Sequence, residues 1–555
     1  MANEERDFDI IVIGGGFGGV TAALRAAELG LRTVLLEKGT GDSYPCNSRY
    51  SGGIVHVSFK DIRRTPSELI QAVNATTGGE ANPVQTRALA ENVGRWVDWL
   101  QQHGARFMRF NMEEGYRWCM APPRAMVPGP DWKNRGPDVL LRHLVKQFEA
   151  AGGKMRRGTK ARELVMEKDA CAGVVAEADG QKTTLGAHAV VIADGGFQAH
   201  RESFEEHIGP NFDAVFQRGA ASGMGDGIRM AKKTGAHMTD CKPFYGHLLA
   251  RGVEENDKLW PYPELDAFAT AGVIVGQDGL RFLDEGRGGI AVANDLARLP
   301  DPGCGIAIFD ANIWNGPGRA HRIPANPLLE KAGATLHRAD TLGELAAQLG
   351  LPADALEQTI DSHNAAVAAE ATDRLDPPRS ARVPAYEIRF PPFMAIRITP
   401  GITYTMGGIE VDGAGRVLSN DGTPIRGLYA AGASTGGIEG GSHNAYVGGI
   451  AKAGTFGMLA AEDAASQISG AGSGSDTAEV AKQSRFPILG LVVLYGRPTA
   501  GILGMTAGTG LAALLWGSAG WWSLLAALVA GGAIYFLVRL VTELVTLITE
   551  MLLPQ

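Results

Sequence analysis

A glycine turn between two apolar strands constrains this chain more than any other feature. Near the amino end, DIIVIGGGFGGVTAALRAAELGLRTVLLEK reads as strand, turn, helix, strand. The turn places Gly14, Gly16 and Gly19 in GxGxxG spacing, with Phe17 and Gly18 between the last two. The first glycine permits the tight turn, the second lets a pyrophosphate approach the backbone, and the third lets the helix pack on the strand. The anion then meets the positive end of the helix. Glu37 closes the second strand eighteen residues after Gly19, where a carboxylate accepts the ribose hydroxyls. The pattern predicts a dinucleotide site.

Two distant segments decide which dinucleotide. AHAVVIADGGF (187–197) and IRGLYAAGASTGG (425–437) are further apolar strands, ending at Gly195-Gly196 and at Gly432. A unit for nicotinamide alone does not need strands so far downstream; an FAD site does. At 555 residues the chain exceeds one ordinary domain, and its net charge of -8 leaves no electrostatic footprint for nucleic acid. Five widely spaced cysteines without a C-x-x-C pair argue against a disulfide framework or zinc, so no metal is expected. The acidic start lacks the basic region of a signal peptide, which predicts a cytoplasmic body.

Beyond these, NSRYSGG (47–53), SGMGDGIRMAKKTGA (222–236), GLRFLDEG (279–286), PPFMAIRITPGITYTMGGIEV (391–411) and GGIAKAGTFGMLAA (448–461) follow in order. Together with the glycine segments they resemble the flavoprotein family of fumarate reductases, succinate dehydrogenases, 3-ketosteroid dehydrogenases and tricarballylate dehydrogenase, over about residues 8–466. The layout is nearest to tricarballylate dehydrogenase. The resemblance implies an α/β fold: a split, Rossmann-like FAD-binding domain (1–236 and 385–466) with an inserted α+β capping domain (237–384). It implies that FAD, held without a covalent bond, meets Lys38 beside Glu37, the Asn47, Ser48, Ser51, Gly52 and Gly53 of NSRYSGG, then Ala193, Gly195, Gly196, Asp226, Gly432, Gly448 and Gly449.

The family moves a hydride between flavin and a carbon beside an activating carbonyl or carboxylate, while a side chain handles a proton on the neighbouring carbon. A C=C bond forms or disappears. Fumarate reductases use a cap arginine about eight residues past the arginine of RF(V/L)(N/D)E; counted from Arg281, that position is Gly289. Their TGGxHGxxRxGG becomes TGGIEGGSHNAYVGG, with Glu439 for the histidine and Tyr446 near the arginine's place. The dicarboxylate clamp is incomplete. The polar set that remains as catalytic candidates is Ser442, His443 and Tyr446 beside the flavin, Tyr404, Tyr245 and His247 in KPFYGH, and Arg287 in the cap. Tyrosine and serine suit a ketone, as in the ketosteroid branch; arginine and histidine suit a carboxylate. Arg281 and Asp284–Glu285 are expected to hold the cap loop. Ala433 replaces the acid of the usual AGE motif, and Cys46 lies near the place of a covalent-flavin histidine. A non-catalytic flavin-binding membrane subunit is the reading from another class.

The carboxyl end differs. Residues 498–538 hold no charge, about twice the ~20 positions one helical crossing requires. Trp516, Trp521 and Trp522 flank a Gly-Ser-Ala-Gly turn, and Lys482, Arg485, Arg497 and Arg539 bracket the whole. A transmembrane helical hairpin over 486–555 is expected, joined by a tether (467–485), holding the body on the cytoplasmic face near a quinone or membrane electron carrier that empties the flavin.

Overall fold

The computed structural model describes residues 6–112, 115–125, 127–320 and 324–472. The chain separates into two units, Met1–Ser469 and Gly470–Gln555. The expected membrane hairpin lies outside the described residues; among those that are described, no helix is long and apolar enough to cross a membrane.

The apolar runs read as strands do form one sheet. Phe8–Ile13 lies between Thr33–Glu37 and Gln181–Ile192, parallel to both, and Pro424–Ala430 runs parallel on the far side of Gln181–Ile192. Ile13 stands opposite Leu36 and Ile192, and Ile192 opposite Ala430. This register ends all four strands at one edge. Backbone hydrogen bonds continue past it, from Gly14 N to Leu36 O, Ala193 N to Ile13 O and Ala431 N to Ile192 O. Near-continuous burial of IIVI and VVI explains why these segments read as apolar runs rather than alternating strands, since helices cover both faces of a parallel sheet. The three glycine turns, separated by hundreds of residues, thus meet where open α/β sheets bind ligands.

A second sheet is built on the long strand Phe393–Thr405. It pairs antiparallel with Ile306–Phe309, His337–Ala339 and Phe244–Ala250, and parallel with Phe216–Gln217. The boundary expected at 385 puts this strand with the FAD-binding segments. The cap strands Phe244–Ala250, Ile306–Phe309 and His337–Ala339 take up its backbone hydrogen bonds together with Phe216–Gln217 of the amino-terminal segment. The hairpin Phe107–Met112 and Gly115–Met120 pairs with Ile54–Val55 and brings Arg117 toward the cleft. The last described helix, Gly449–Gly472, lies close on the first, Phe17–Glu28: a Cβ on Gly457 would stand 2.2 Å from Gly18 O. It overruns the expected tether start at 467, and Ile468 still packs against the core there.

Candidate active site

The first cleft is made of backbone more than of side chains. Gly14 has φ +100°, and a Cβ there would sit 2.5 Å from Ala193 O; on Gly19 it would sit 1.8 Å from Gly14 O. The helix that follows carries no side-chain cap, so its first turn offers amides to an anion. Glu37 takes Gly39 N at Oε1 (2.7 Å) and Gly15 N at Oε2 (2.8 Å). Burial pushes its pKa above the usual carboxylate range, although the two amides pull the other way. Lys38 and Lys160 approach Asp226 at 3.5 and 3.0 Å. Burial likewise lifts Asp194, which accepts from Gly227 N, to about 6. These residues line an open cleft of about 800 Å3.

Of the expected cofactor residues, Gly14, Gly16, Phe17, Gly18, Glu37, Lys38, Asn47, Ser48, Ala193, Gly195, Asp226 and Gly432 line this cleft. Ser51, Gly52, Gly53 and Gly449 line its continuation. Gly19, Gly196 and Gly448 line neither; each is a close-packing position, a Cβ on Gly196 standing 2.1 Å from Thr405 Oγ1 and one on Gly448 2.3 Å from His56 O. The arrangement fits a dinucleotide. Gly195 faces open space where a Cβ would be, and Ser434 Oγ accepts from Gly195 N (3.0 Å). Burial pushes the Cys46 thiol up to about 11, the opposite of an activated thiolate.

The continuation is a cavity of about 1230 Å3, sharing Asn47, Ser48, Ala433 and Ala453 with the first cleft. Its walls carry Tyr50, Tyr245, Tyr262, Tyr404 and Tyr446. Tyr245 and Tyr446 stack with ring centres 4.0 Å apart, and Tyr404 pairs with Tyr245 across the strands. Tyr404 Oη donates to Glu439, whose carboxylate also receives Val447 N, Gly448 N and the Lys452 ammonium at 2.9 Å. Burial opposes the charge on Glu439, but Lys452 and the amides outweigh it and hold its pKa low. Burial raises Tyr245, Tyr404 and Tyr446 well above their ordinary range, so all three stay protonated and can donate.

Several candidates do not reach this cavity. Ser442 and His443 are exposed and line neither space, because Gly440 and Ala445 close a turn by mutual backbone hydrogen bonds and carry the residues between them at its tip. There Ser442 bonds Glu80, and Arg287, paired to Asp295 at 2.6 Å, donates to Ser442 O. His247 lies behind Tyr245, off the cavity wall. Position 289 has no room for a side chain: a Cβ would stand 2.1 Å from Asp266 Cγ. Arg281 grips Glu285 at 2.6 Å inside the cap, as expected of a loop-holding pair, with Asp284 bonded to Ser380 N.

Other cavity residues carried no motif. Arg117 and Arg124 form no ion pair among the described residues; Arg124 Nη1 donates to Tyr50 O. Arg218 is neutralised by Glu264 at 2.7 Å. Tyr262 and Glu264 belong to WPYPELDAF, whose aromatic character was the available signal. His56 is buried against Phe59 and the edge of Tyr446. Burial, with Arg117 nearby, pushes its pKa down to about 4 from an ordinary value near 6.5. The unfolded chain therefore takes up the proton first as pH falls. Stability should decline between pH 6.5 and 4 by about 3 kcal/mol from this ring alone. Urea midpoints across that window read the effect, and His56→Gln should flatten its share of the slope.

The family model described as "FAD binding domain" matches residues 9–449. Among curated relatives, the NADH:fumarate oxidoreductase of Klebsiella pneumoniae is 27% identical over 84% of this chain, which spans about half (48%) of that protein's length. The 3-oxosteroid 1-dehydrogenase of Mycolicibacterium smegmatis is 26% identical, covering 83% of this chain and 97% of its own. Among solved structures, the 3-ketosteroid Δ1-dehydrogenase of Sterolibacterium denitrificans in complex with 1,4-androstadiene-3,17-dione shares the fold, with a TM-score of 0.64, 20% identity, and 83% and 99% of the two chains covered. The chain belongs to the FAD binding domain family, and FAD is the dinucleotide its cleft takes.

Proposed function

We propose that this protein is an FAD-dependent dehydrogenase or reductase that forms or reduces a C=C bond beside a carboxylate or carbonyl, with a tricarballylate-like acid as substrate class. One juxtaposition carries the reading: a phenol-lined cavity containing two arginines that form no ion pair among the described residues opens directly into the dinucleotide cleft. When bound, FAD would supply the hydride acceptor or donor, held by Glu37, the Gly14–Gly19 turn, Asn47 and Ser48. The chain's own side chains do the rest. Arg117 and Arg124 bind and orient a carboxylate. Tyr404 and Tyr446 donate hydrogen bonds to the activating group, where developing negative charge strengthens them. A phenol carries the proton of the adjacent carbon.

A ketosteroid-type substrate is the second reading, favoured by the five tyrosines on the wall. The uncharged stretch 498–538 supports anchoring to the cytoplasmic face of a membrane, near a quinone or another membrane electron carrier. One preparation tests all of this. Membranes washed with high salt and then carbonate should retain the flavin band, and added tricarballylate should bleach it, with turnover restored by an artificial electron acceptor. Bleaching by a 3-ketosteroid alone would favour the second substrate. No bleaching by either would favour a non-catalytic flavoprotein, and release into the carbonate supernatant would count against the anchor.

A further inference from the structure

Behind the stacked phenols, the cap contains a hydrogen-bonded chain that the substrate reading does not by itself require. Tyr245 Oη lies 3.0 Å from His247 Nε2, and His247 Nδ1 lies 2.7 Å from Asp266 Oδ2. The strand Phe244–Ala250 carries Tyr245 and His247 two residues apart, on one face. Asp266 is fixed by Leu248 N, which donates to Oδ1 at 2.8 Å, and by Gly289, whose missing side chain leaves room for the carboxylate. Glu264 Oε1 stands 3.4 Å from His247 Nε2 and is itself paired with Arg218. The Asp266 carboxylate at the far end is 24% exposed and lies off the cavity wall, against 11% for the His247 side chain, so the chain runs from the cavity wall toward water.

We propose that Tyr245 is the acid–base group of the reaction, and that His247 and Asp266 are positioning residues forming its proton relay to solvent. The assignment rests on the dehydrogenase or reductase reading above. Asp266 as an anion accepts the Nδ1 proton, so Nε2 is left as an acceptor, and Tyr245 donates to it. The phenol oxygen then turns its lone pairs to the cavity. In dehydrogenation the substrate C–H breaks, its proton joins Tyr245 Oη, and the phenol's own proton passes to His247 Nε2. The electron pair of the C–H bond becomes the new C=C bond, and FAD, when held in the dinucleotide cleft, would supply the two-electron acceptor for the hydride lost from the neighbouring carbon. The imidazolium lies between Asp266 and Glu264 and passes its proton to water. In reduction the same steps reverse, His247 donating and Tyr245 protonating carbon. The ionisable groups facing the ring are Tyr245 on its own strand and Glu264 and Asp266 on the neighbouring segment; Arg218, Tyr262 and Tyr446 surround them.

Asp266→Asn is the test, because Asn retains the oxygen that accepts from Leu248 N while its amide donates toward Nδ1 and reverses the tautomer. Two-bond nitrogen–proton correlations on the 15N-histidine-labelled holoprotein should show His247, identified by the signal missing in His247→Gln, protonated at Nδ1 in the native chain and at Nε2 in Asp266→Asn. A native ring protonated at Nε2 overturns the relay. With tricarballylate or a 3-ketosteroid, whichever bleaches the flavin, Asp266→Asn and Tyr245→Phe should each lower kcat by about 10²-fold or more, with KM changed less than about threefold. Asp266→Glu should restore part of the rate, and the pH profile should lose one limb in Asp266→Asn. Unchanged kcat with the expected tautomers overturns the catalytic role alone. Failure of both substrates to bleach native protein overturns the functional reading, and the tautomer result still decides the relay.

Discussion

Gly14→Ala should purify with little or no flavin. The backbone at this position has φ +100°, a conformation in which an L-alanine is strained, and the added methyl would lie 2.5 Å from Ala193 O and 2.6 Å from Asp194 Cα. Those atoms belong to the crossover that follows Gln181–Ile192 and forms the opposite wall of the cleft. Either the turn opens or the wall retreats, and both changes move amides away from the pyrophosphate. Backbone strain of about 1–3 kcal/mol together with the displaced wall predicts an affinity loss of about 100-fold. Flavin absorbance per chain after gel filtration measures it, with circular dichroism to show that the sheets persist. Gly30→Ala is the control, since Gly30 has φ +83° with nothing within 4 Å of its Cβ position. It should remain yellow; a Gly14→Ala protein with full flavin would refute the account of the turn.

The contrast between the two clefts explains what could be read from the amino-acid order. The cofactor cleft depends on backbone: strands that end together, a glycine where no Cβ fits, an acid closing the second strand. Each leaves a local mark, so Gly14, Glu37, Gly195 and Gly432 were legible although three segments had to converge. The substrate cavity depends on side chains from unrelated loops. Arg117 arrives on a hairpin, Arg124 on an irregular segment and Tyr262 in the cap, with no spacing to connect them. Ser442 and His443 were misleading for a related reason. Proximity in sequence to the third glycine segment suggested proximity to the flavin, but the hydrogen bonds between Gly440 and Ala445 turn that short stretch outward. Glu439, read only as a missing histidine, is instead the buried acceptor that orients Tyr404.

That buried acid gives the second large effect. Lys452→Met should destabilise the folded chain by about 3–5 kcal/mol, because it leaves the Glu439 carboxylate buried without its cation. The sign of the pH dependence should also reverse. In the native protein Lys452 and the Val447 and Gly448 amides overcome burial and hold Glu439 below its unfolded pKa, so this group stabilises the fold above about pH 4.5 and loses that contribution as pH falls through the folded value. In Lys452→Met burial prevails and the folded pKa lies above the unfolded one. The acid then binds its proton in the folded state, and stability falls as pH rises past about 4.5. Urea unfolding at pH 5 and pH 8 separates the cases: the variant should be closer to native at pH 5. Adding Glu439→Gln removes the stranded charge while keeping an oxygen to accept from Tyr404, and should recover most of the loss at pH 8. Equal destabilisation at both pH values, or no recovery in the double variant, would mean that Lys452 acts by packing and that Glu439 carries no charge in the folded protein.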